Sequence, residues 1–290
     1  MTSFAPPAIR YLASSTEPLA RARATAALFG AGLDLTESFR SGAHGGPAAI
    51  RYMSESLESY SPRLDRDLVD CAGLVDLGDL VLDGASVPEA LGAIADGMAS
   101  AAESAQLAVM LGGEHLASLG GFRGLKRVHP DAVILQADAH LDMRPDYAGQ
   151  PFTHATWLNH VGQEFGFGGI HQVGLRSGER AEWQLARSRT AWSTTDLNLP
   201  HDVRAQIGPK PLYVSIDIDV LDPAHAPGTG CPEPGGVSFR ELAEFLYSLE
   251  GLRVVAIDVM EVSPELDPAN ITAAAAAKLV REAILLFGAT

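Results

Sequence analysis

The stretch AVILQADAHLDMRP (residues 132–145) sets an apolar run directly against Asp138, His140 and Asp142. A short run rich in Val, Ile and Leu predicts a strand covered on both faces. Acids just beyond such a strand are costly to bury unless something neutralises them. Positions i, i+2 and i+4 of an extended chain share one side, so these three side chains converge if the extension persists. Their meaning depends on whether other segments supply matching donors.

Similar runs recur at TAALFGAG (25–32), LVDLG (74–78), LAVMLGG (107–113), IHQVGLR (170–176), PLYVSIDID (211–219) and LRVVAIDVMEV (252–262). Between them lie helical patterns at 87–106, 238–251 and 270–287, the first with Pro88 near its start, the second opened by a Ser238/Glu241 capping box. Strand and helix in alternation predict an α/β fold, a mostly parallel central sheet between two helical layers. No linker, repeat or low-complexity stretch divides the chain, so residues 1–290 are expected to form one catalytic domain.

Composition narrows the function. With 290 residues and 47% hydrophobic content, the chain can bury a large core. A formal net charge of −15 would repel nucleic acid phosphates. No long uncharged apolar run suggests a membrane span. ATAALFGAGL (24–33) is read as a first buried strand and not a signal-peptide core, because Glu17 precedes it and Asp34 follows. Cys71 and Cys231 could pair or stay free, since a chain this large needs no staple, and Cys231 is read as a free, buried, inert thiol. A cytoplasmic location is the default for such a chain.

Open parallel sheets bind ligands beyond the carboxyl ends of their strands. There the runs deliver Glu114 and His115, then Asp138, His140 and Asp142, then Asp217 and Asp219, and finally Glu261. Singly, each residue is most simply a cap or a structural acceptor, and Asp222 and Asp258 are read that way. Jointly, the carboxylates would repel one another unless cations neutralise them. Oxygen-rich donors with imidazoles and no thiolate favour manganese, with zinc, cobalt or nickel as alternatives. Six side chains exceed the needs of one tetrahedral zinc and suit two bridged metals.

GGEH (112–115), DAHLD (138–142), SIDIDVLDP (215–223) and EVSPELDP (261–268) resemble the signature blocks of the ureohydrolases, the arginase and agmatinase family. GAGLDLTESFRSGAHGGPAAIR (30–51) and APGTGCPEPGG (226–236) extend the resemblance over nearly the whole chain. It implies an arginase-like fold and two Mn2+ per chain, one held by His115, Asp138, Asp142 and Asp217, the other by Asp138, His140, Asp217 and Asp219. It also implies that Glu261 grips a guanidinium and that His154 relays protons. His154 sits in FTHAT, where many relatives have glycine after the histidine. A closed homo-oligomer, trimer or hexamer, is expected from the same resemblance.

The charge count points to a small cationic substrate, because the carboxylates outweigh two divalent ions once a bridging hydroxide and Glu261 are added. The implied reaction is attack of that hydroxide on the guanidinium carbon, with Asp142 passing the proton to the departing amine. Asp146, in the loop MRPDYAGQPF (143–152), is expected either to favour an amine tail or to serve only at the surface. Agmatine, giving putrescine and urea, is therefore the leading substrate. Aminopropylagmatine, guanidinobutyrate and arginine are the alternatives, with Arg144 or Arg176 available to hold a carboxylate. A single-zinc deacetylase, a dinuclear phosphoesterase using Asn159 and His160, and a catalytically silent metal-dependent binding protein are the readings outside this class.

Overall fold

The computed structural model describes residues 3–16 and 23–288; Glu17 lies outside them. The strands are β1 (Phe4–Ala5), β2 (Ala24–Ala31), β3 (Tyr60–Ser61), β4 (Arg66–Asp67), β5 (Leu74–Leu80), β6 (Ala105–Gly112), β7 (Val133–Ala137), β8 (Ile170–Val173), β9 (Trp192–Ser193), β10 (Leu212–Asp217) and β11 (Val254–Met260). The α-helices are α1 (Gly46–Ser54), α2 (Val87–Ser104), α3 (Ala117–Val128), α4 (Trp157–Phe165), α5 (Arg180–Arg189), α6 (His201–Ile207), α7 (Phe239–Ser248) and α8 (Ile271–Ala283).

Among the described residues, nine strands form one sheet in the order β1-β5-β2-β6-β11-β10-β7-β8-β9, and β3 pairs with β4 outside it. Every pairing in the large sheet is parallel except β1 with β5. The sheet separates two apolar layers. Ile50 of α1, Val203 and Ile207 of α6, Leu242 of α7 and Leu279 of α8 pack on one face. Leu91, Ile94 and Met98 of α2, Leu119 and Phe122 of α3 and Leu158 of α4 pack on the other. Alternation within a strand feeds both: Ala26 and Leu28 of β2 point to the first layer, Ala27 and Phe29 to the second.

The capping box is present on α7, and α2 carries its own from Ser86 and Glu89, each worth about 1 kcal/mol. Helix α3 was not foreseen, since Gly120, Gly121 and Gly124 lower its helical propensity. Those glycines are packing devices: a Cβ at Gly124 would stand 2.2 Å from the Ala95 carbonyl oxygen of α2.

Chain order explains the site. Strands β10 and β11 are last in sequence, yet they fill the gap between β6 and β7. The central neighbours β6-β11-β10-β7 are parallel, so their carboxyl ends share one rim. Among the described residues, no helix is long and apolar enough to cross a membrane.

Candidate metal centre

His115 follows β6, Glu261 follows β11, Asp217 and Asp219 close β10, and Asp138, His140 and Asp142 follow β7. The structure brings all of these together, though not by the extended geometry expected. β7 stops at Ala137, and β10 passes at Asp217 into a 3-10 turn over Ile218–Val220. Asp142 has φ 53° and Glu261 φ 64°, left-handed conformations that cost roughly 1–2 kcal/mol for a side chain with a Cβ. Turns, and not strand alternation, converge these side chains. The GGEH glycines permit close approach, since a Cβ on Gly113 would lie 2.0 Å from the Leu33 carbonyl oxygen.

Two donor groups share one residue. Ligand atoms of His115, Asp138 and Asp142 lie within 4.8 Å of one another, and so do those of Asp138, His140 and Asp219. His115 Nδ1 stands 3.1 Å from Asp138, 3.3 Å from Asp142 and 3.0 Å from Asp217. His140 Nδ1 stands 2.8 Å from Asp219 and 3.7 Å from Asp138. Burial, then Asp142 and Asp219, push Asp138 up to about 7. Burial also raises Asp217, with Asp219 and Asp138 adding to it. Burial depresses the His140 imidazole, but Asp219, Asp138 and Asp142 outweigh it and drive it up to about 11.

Whether these residues fit cations is tested by His115. Ser215 Oγ donates to Asp258 at 2.8 Å and meets His115 Nε2 at 2.9 Å, so Nε2–H donates to the serine. The Nδ1 lone pair then faces three carboxylates and has no hydrogen-bond partner. A proton on Nδ1 would relieve that repulsion, and the three carboxylates do hold His115 well above its ordinary range against its burial; a metal ion relieves it equally while binding all four groups, so the donor set fits a metal. Surrounding groups hold the donors in place. Gln136 Nε2 donates to Asp138 (2.6 Å), Trp157 Nε1 donates to Asp142 (2.8 Å), and the Asp219 amide donates to Asp217 (2.8 Å). Asp258 also accepts from Ser118 Oγ (2.7 Å) and Tyr213 OH (2.6 Å), the structural role expected of it.

Losing such an outer partner typically weakens a metal site about 10- to 100-fold. Ser215→Ala is therefore expected to weaken metal binding by that order while the fold persists, as competition with a calibrated chelator would measure; unchanged affinity would contradict the His115 tautomer assigned here.

A pH effect follows for metal-free protein. Asp138 and His140 keep protons in the fold above their ordinary values of 3.8 and 6.5, up to about 7 and about 11. The folded state thus binds more protons than the unfolded one, and stability falls as pH rises. Chelator-treated protein should melt at a lower temperature at pH ~8 than at pH ~6, and added metal should remove most of that difference. A metal-free melting temperature that rises over this window would contradict the assignment.

The donors open into a cavity of about 200 Å³, whose wall includes Glu37, Ser38, Arg144, Tyr147, His154, Glu182, Thr229, Cys231 and Glu261. Glu261 accepts from the His115 amide at 2.7 Å. Glu37, overlooked in the sequence, lies beside Glu261, and burial pushes it up to about 8. Both its oxygens lack a hydrogen-bond partner. It sits on a clamped loop. Glu114 accepts from the Leu35 (3.1 Å) and Thr36 (2.9 Å) amides, and Asp34 accepts from the Gly42 amide (2.8 Å). Arg40 reaches the carbonyls of Gly230 (3.0 Å) and Thr229 (2.8 Å), joining this loop to the loop around Cys231. His154 lines the cavity, its Nδ1 donating to the Thr36 carbonyl at 2.9 Å.

Three expectations need correction. Asp146 is exposed, accepts from the Gly149 amide within its own turn (3.1 Å) and is not among the residues lining the cavity; Arg144 and Tyr147 stand there instead. Cys231 is half-buried on the cavity wall and not sealed in the core. Arg176 is committed to backbone carbonyls, at 2.6 Å to Asp219 and 2.7 Å to Glu233. Asn159 and His160, considered for a phosphoesterase, serve structure: Asn159 donates to the Met143 carbonyl and His160 pairs with that of Pro151. Asp222 caps the turn through the amides of Ala224, Gly235 and Gly236.

The Arginase family model matches residues 24–286. The chain is 37% identical to the agmatinase of Bacillus subtilis over 268 residues, 91% of this chain and 92% of that protein. It is 30% identical to the guanidinobutyrase of Pseudomonas aeruginosa over 269 residues, 89% and 84% of the two chains. The crystal structure of proclavaminate amidino hydrolase from Streptomyces clavuligerus superposes with a TM-score of 0.86 at 28% identity, covering 97% of each chain. Together with the donor groups at the rim, these likenesses establish that the chain belongs to the arginase family and is a hydrolase.

Proposed function

We propose that the chain hydrolyses agmatine to putrescine and urea, using two Mn2+ held by His115, Asp138, Asp142, Asp217 and Asp219 together with His140. The observation that carries the reading is an acidic cavity in which Glu37 and Glu261 lie beside the metal donors with no arginine or lysine paired to them.

A guanidinium matches that pair in charge, and its planar fork suits carboxylates. Bound there, the two cations would lower the pKa of a water and make hydroxide available at neutral pH. The protein supplies the rest. Glu261 and Glu37 orient the guanidinium, so that its carbon faces the donor cluster. Asp142, held by Trp157, takes the proton of the nucleophile and delivers it to the departing amine. His154 exchanges protons with solvent; burial lowers its pKa, so its imidazole is neutral near pH 7 and able to accept.

The tail selects agmatine. A carboxylate tail would need a cation, yet Arg144 is already paired with Glu179 (3.0 Å) and Glu182 (3.4 Å), and Arg176 is spent on carbonyls. With both arginines committed, and no lysine among the residues lining the cavity, the wall offers a carboxylate tail no partner. Manganese-loaded protein should release urea from agmatine with a kcat/KM at least about tenfold above that for guanidinobutyrate or arginine, the effect expected of one mismatched charge. Aminopropylagmatine belongs in the same assay. Equal or greater turnover of a guanidino acid would overturn the tail assignment.

A further inference from the structure

We infer that Glu37, His154 and Cys231 form a third metal site on the cavity wall, suited to zinc and other thiophilic divalent cations, whose occupation blocks the pocket. One ligand atom from each lies within 4.8 Å of the others. Thiolate, imidazole and carboxylate are the donor types zinc prefers, and three protein ligands leave a position for water. The dinuclear cluster, by contrast, contains no sulfur.

Three further features favour a ligand here. His154 Nδ1 faces the Thr36 carbonyl, which can only accept, so the proton resides on Nδ1 and the Nε2 lone pair is directed to the site. Among the described residues, the one hydrogen-bond contact of Nε2 is Ser38 Oγ, at 3.1 Å. Glu37 has two oxygens shielded from solvent that no N–H or O–H group of another residue reaches, its polar neighbour being the Glu261 carboxyl. Cys231 is a free thiol whose only hydrogen-bond contact among the described residues is Ser38 Oγ at 3.7 Å. The three segments are tied together, by Arg40 across the Glu37 and Cys231 loops and by Thr36 to His154, so little ordering remains for a metal to impose. Binding would exchange the Cys231 thiol proton for the metal and release it to solvent. Since Glu37 and His154 also serve the substrate, zinc and agmatine would exclude one another; that part rests on the function proposed above.

The test uses manganese-loaded protein titrated with Co2+ and, separately, with Zn2+. Cobalt should give near-ultraviolet thiolate-to-metal absorption, lost in Cys231→Ser and kept in Cys71→Ser. Zinc should add one metal per chain beyond the manganese and raise the apparent KM for agmatine. Cys231→Ser should leave turnover without zinc unchanged and shift zinc inhibition to concentrations about tenfold higher or more, since losing even an outer-shell partner costs about that much. Equal zinc sensitivity in Cys231→Ser, or inhibition with manganese release and no thiolate absorption, would place zinc in the dinuclear site and overturn the inference. Absorption and metal count require no turnover, so an unreactive agmatine would sink the substrate reading alone.

Discussion

Asp138→Asn is expected to lower urea release by roughly four orders of magnitude, about 5–6 kcal/mol in the barrier, with fewer than two metals left per chain. Among the described residues, Asp138 is the one shared by both donor groups, with Oδ2 nearest His115 and Oδ1 nearest His140. An amide there keeps the volume and loses the charge. Gln136, which donates to Asp138, would then face a group that can donate as well as accept. The variant should still fold, because a neutral residue 138 no longer repels Asp142, Asp217 and Asp219. Metal analysis beside a urea assay decides the point; full metal content with near-normal turnover would remove Asp138 from the centre.

Glu261→Gln is expected to separate substrate binding from metal binding. Its oxygen also accepts from the His115 amide, a contact glutamine can keep. Burial, with Glu37 and Asp217 adding to it, raises Glu261 in the empty site; on the function proposed above, a bound guanidinium would draw it into its charged form, which glutamine cannot adopt, and truncating such a pair costs about 2–5 kcal/mol. A fall in kcat/KM of about 100- to 1000-fold, with two metals retained, is the expected result. Glu37→Gln should act in the same direction but less, since burial already holds Glu37 near its neutral form at pH 7. Metal loss in Glu261→Gln, or an unchanged kcat/KM, would contradict the clamp.

The alternation in 138–142 and 217–219 singled out side chains that the structure does bring together, but for an incomplete reason. Period-two spacing predicted shared faces, whereas the chain turns after Ala137 and again after Asp217. Asp and His are tolerated in such turns, so motif and turn coincide. The strands were legible because burial on both faces makes them continuous apolar runs. Helix α3 was not, because its glycines answer to neighbours that periodicity does not record. Glu37 was missed because TESFRS reads as an ordinary polar loop; only Glu114, Asp34 and Arg40 closing on that loop carry it into the cavity. Asp146 failed for the converse reason. A lone acid in a glycine-containing turn satisfied that turn's own amide.

The central claim is that guanidine hydrolysis depends on a pair of metals at the rim of β6, β11, β10 and β7. Its most direct test titrates metal-free protein with Mn2+ while counting bound ions and following urea release from agmatine. Turnover that appears with binding and saturates at two ions per chain is the predicted result. Saturation at one ion, turnover without metal, or two bound ions with no urea would contradict the claim.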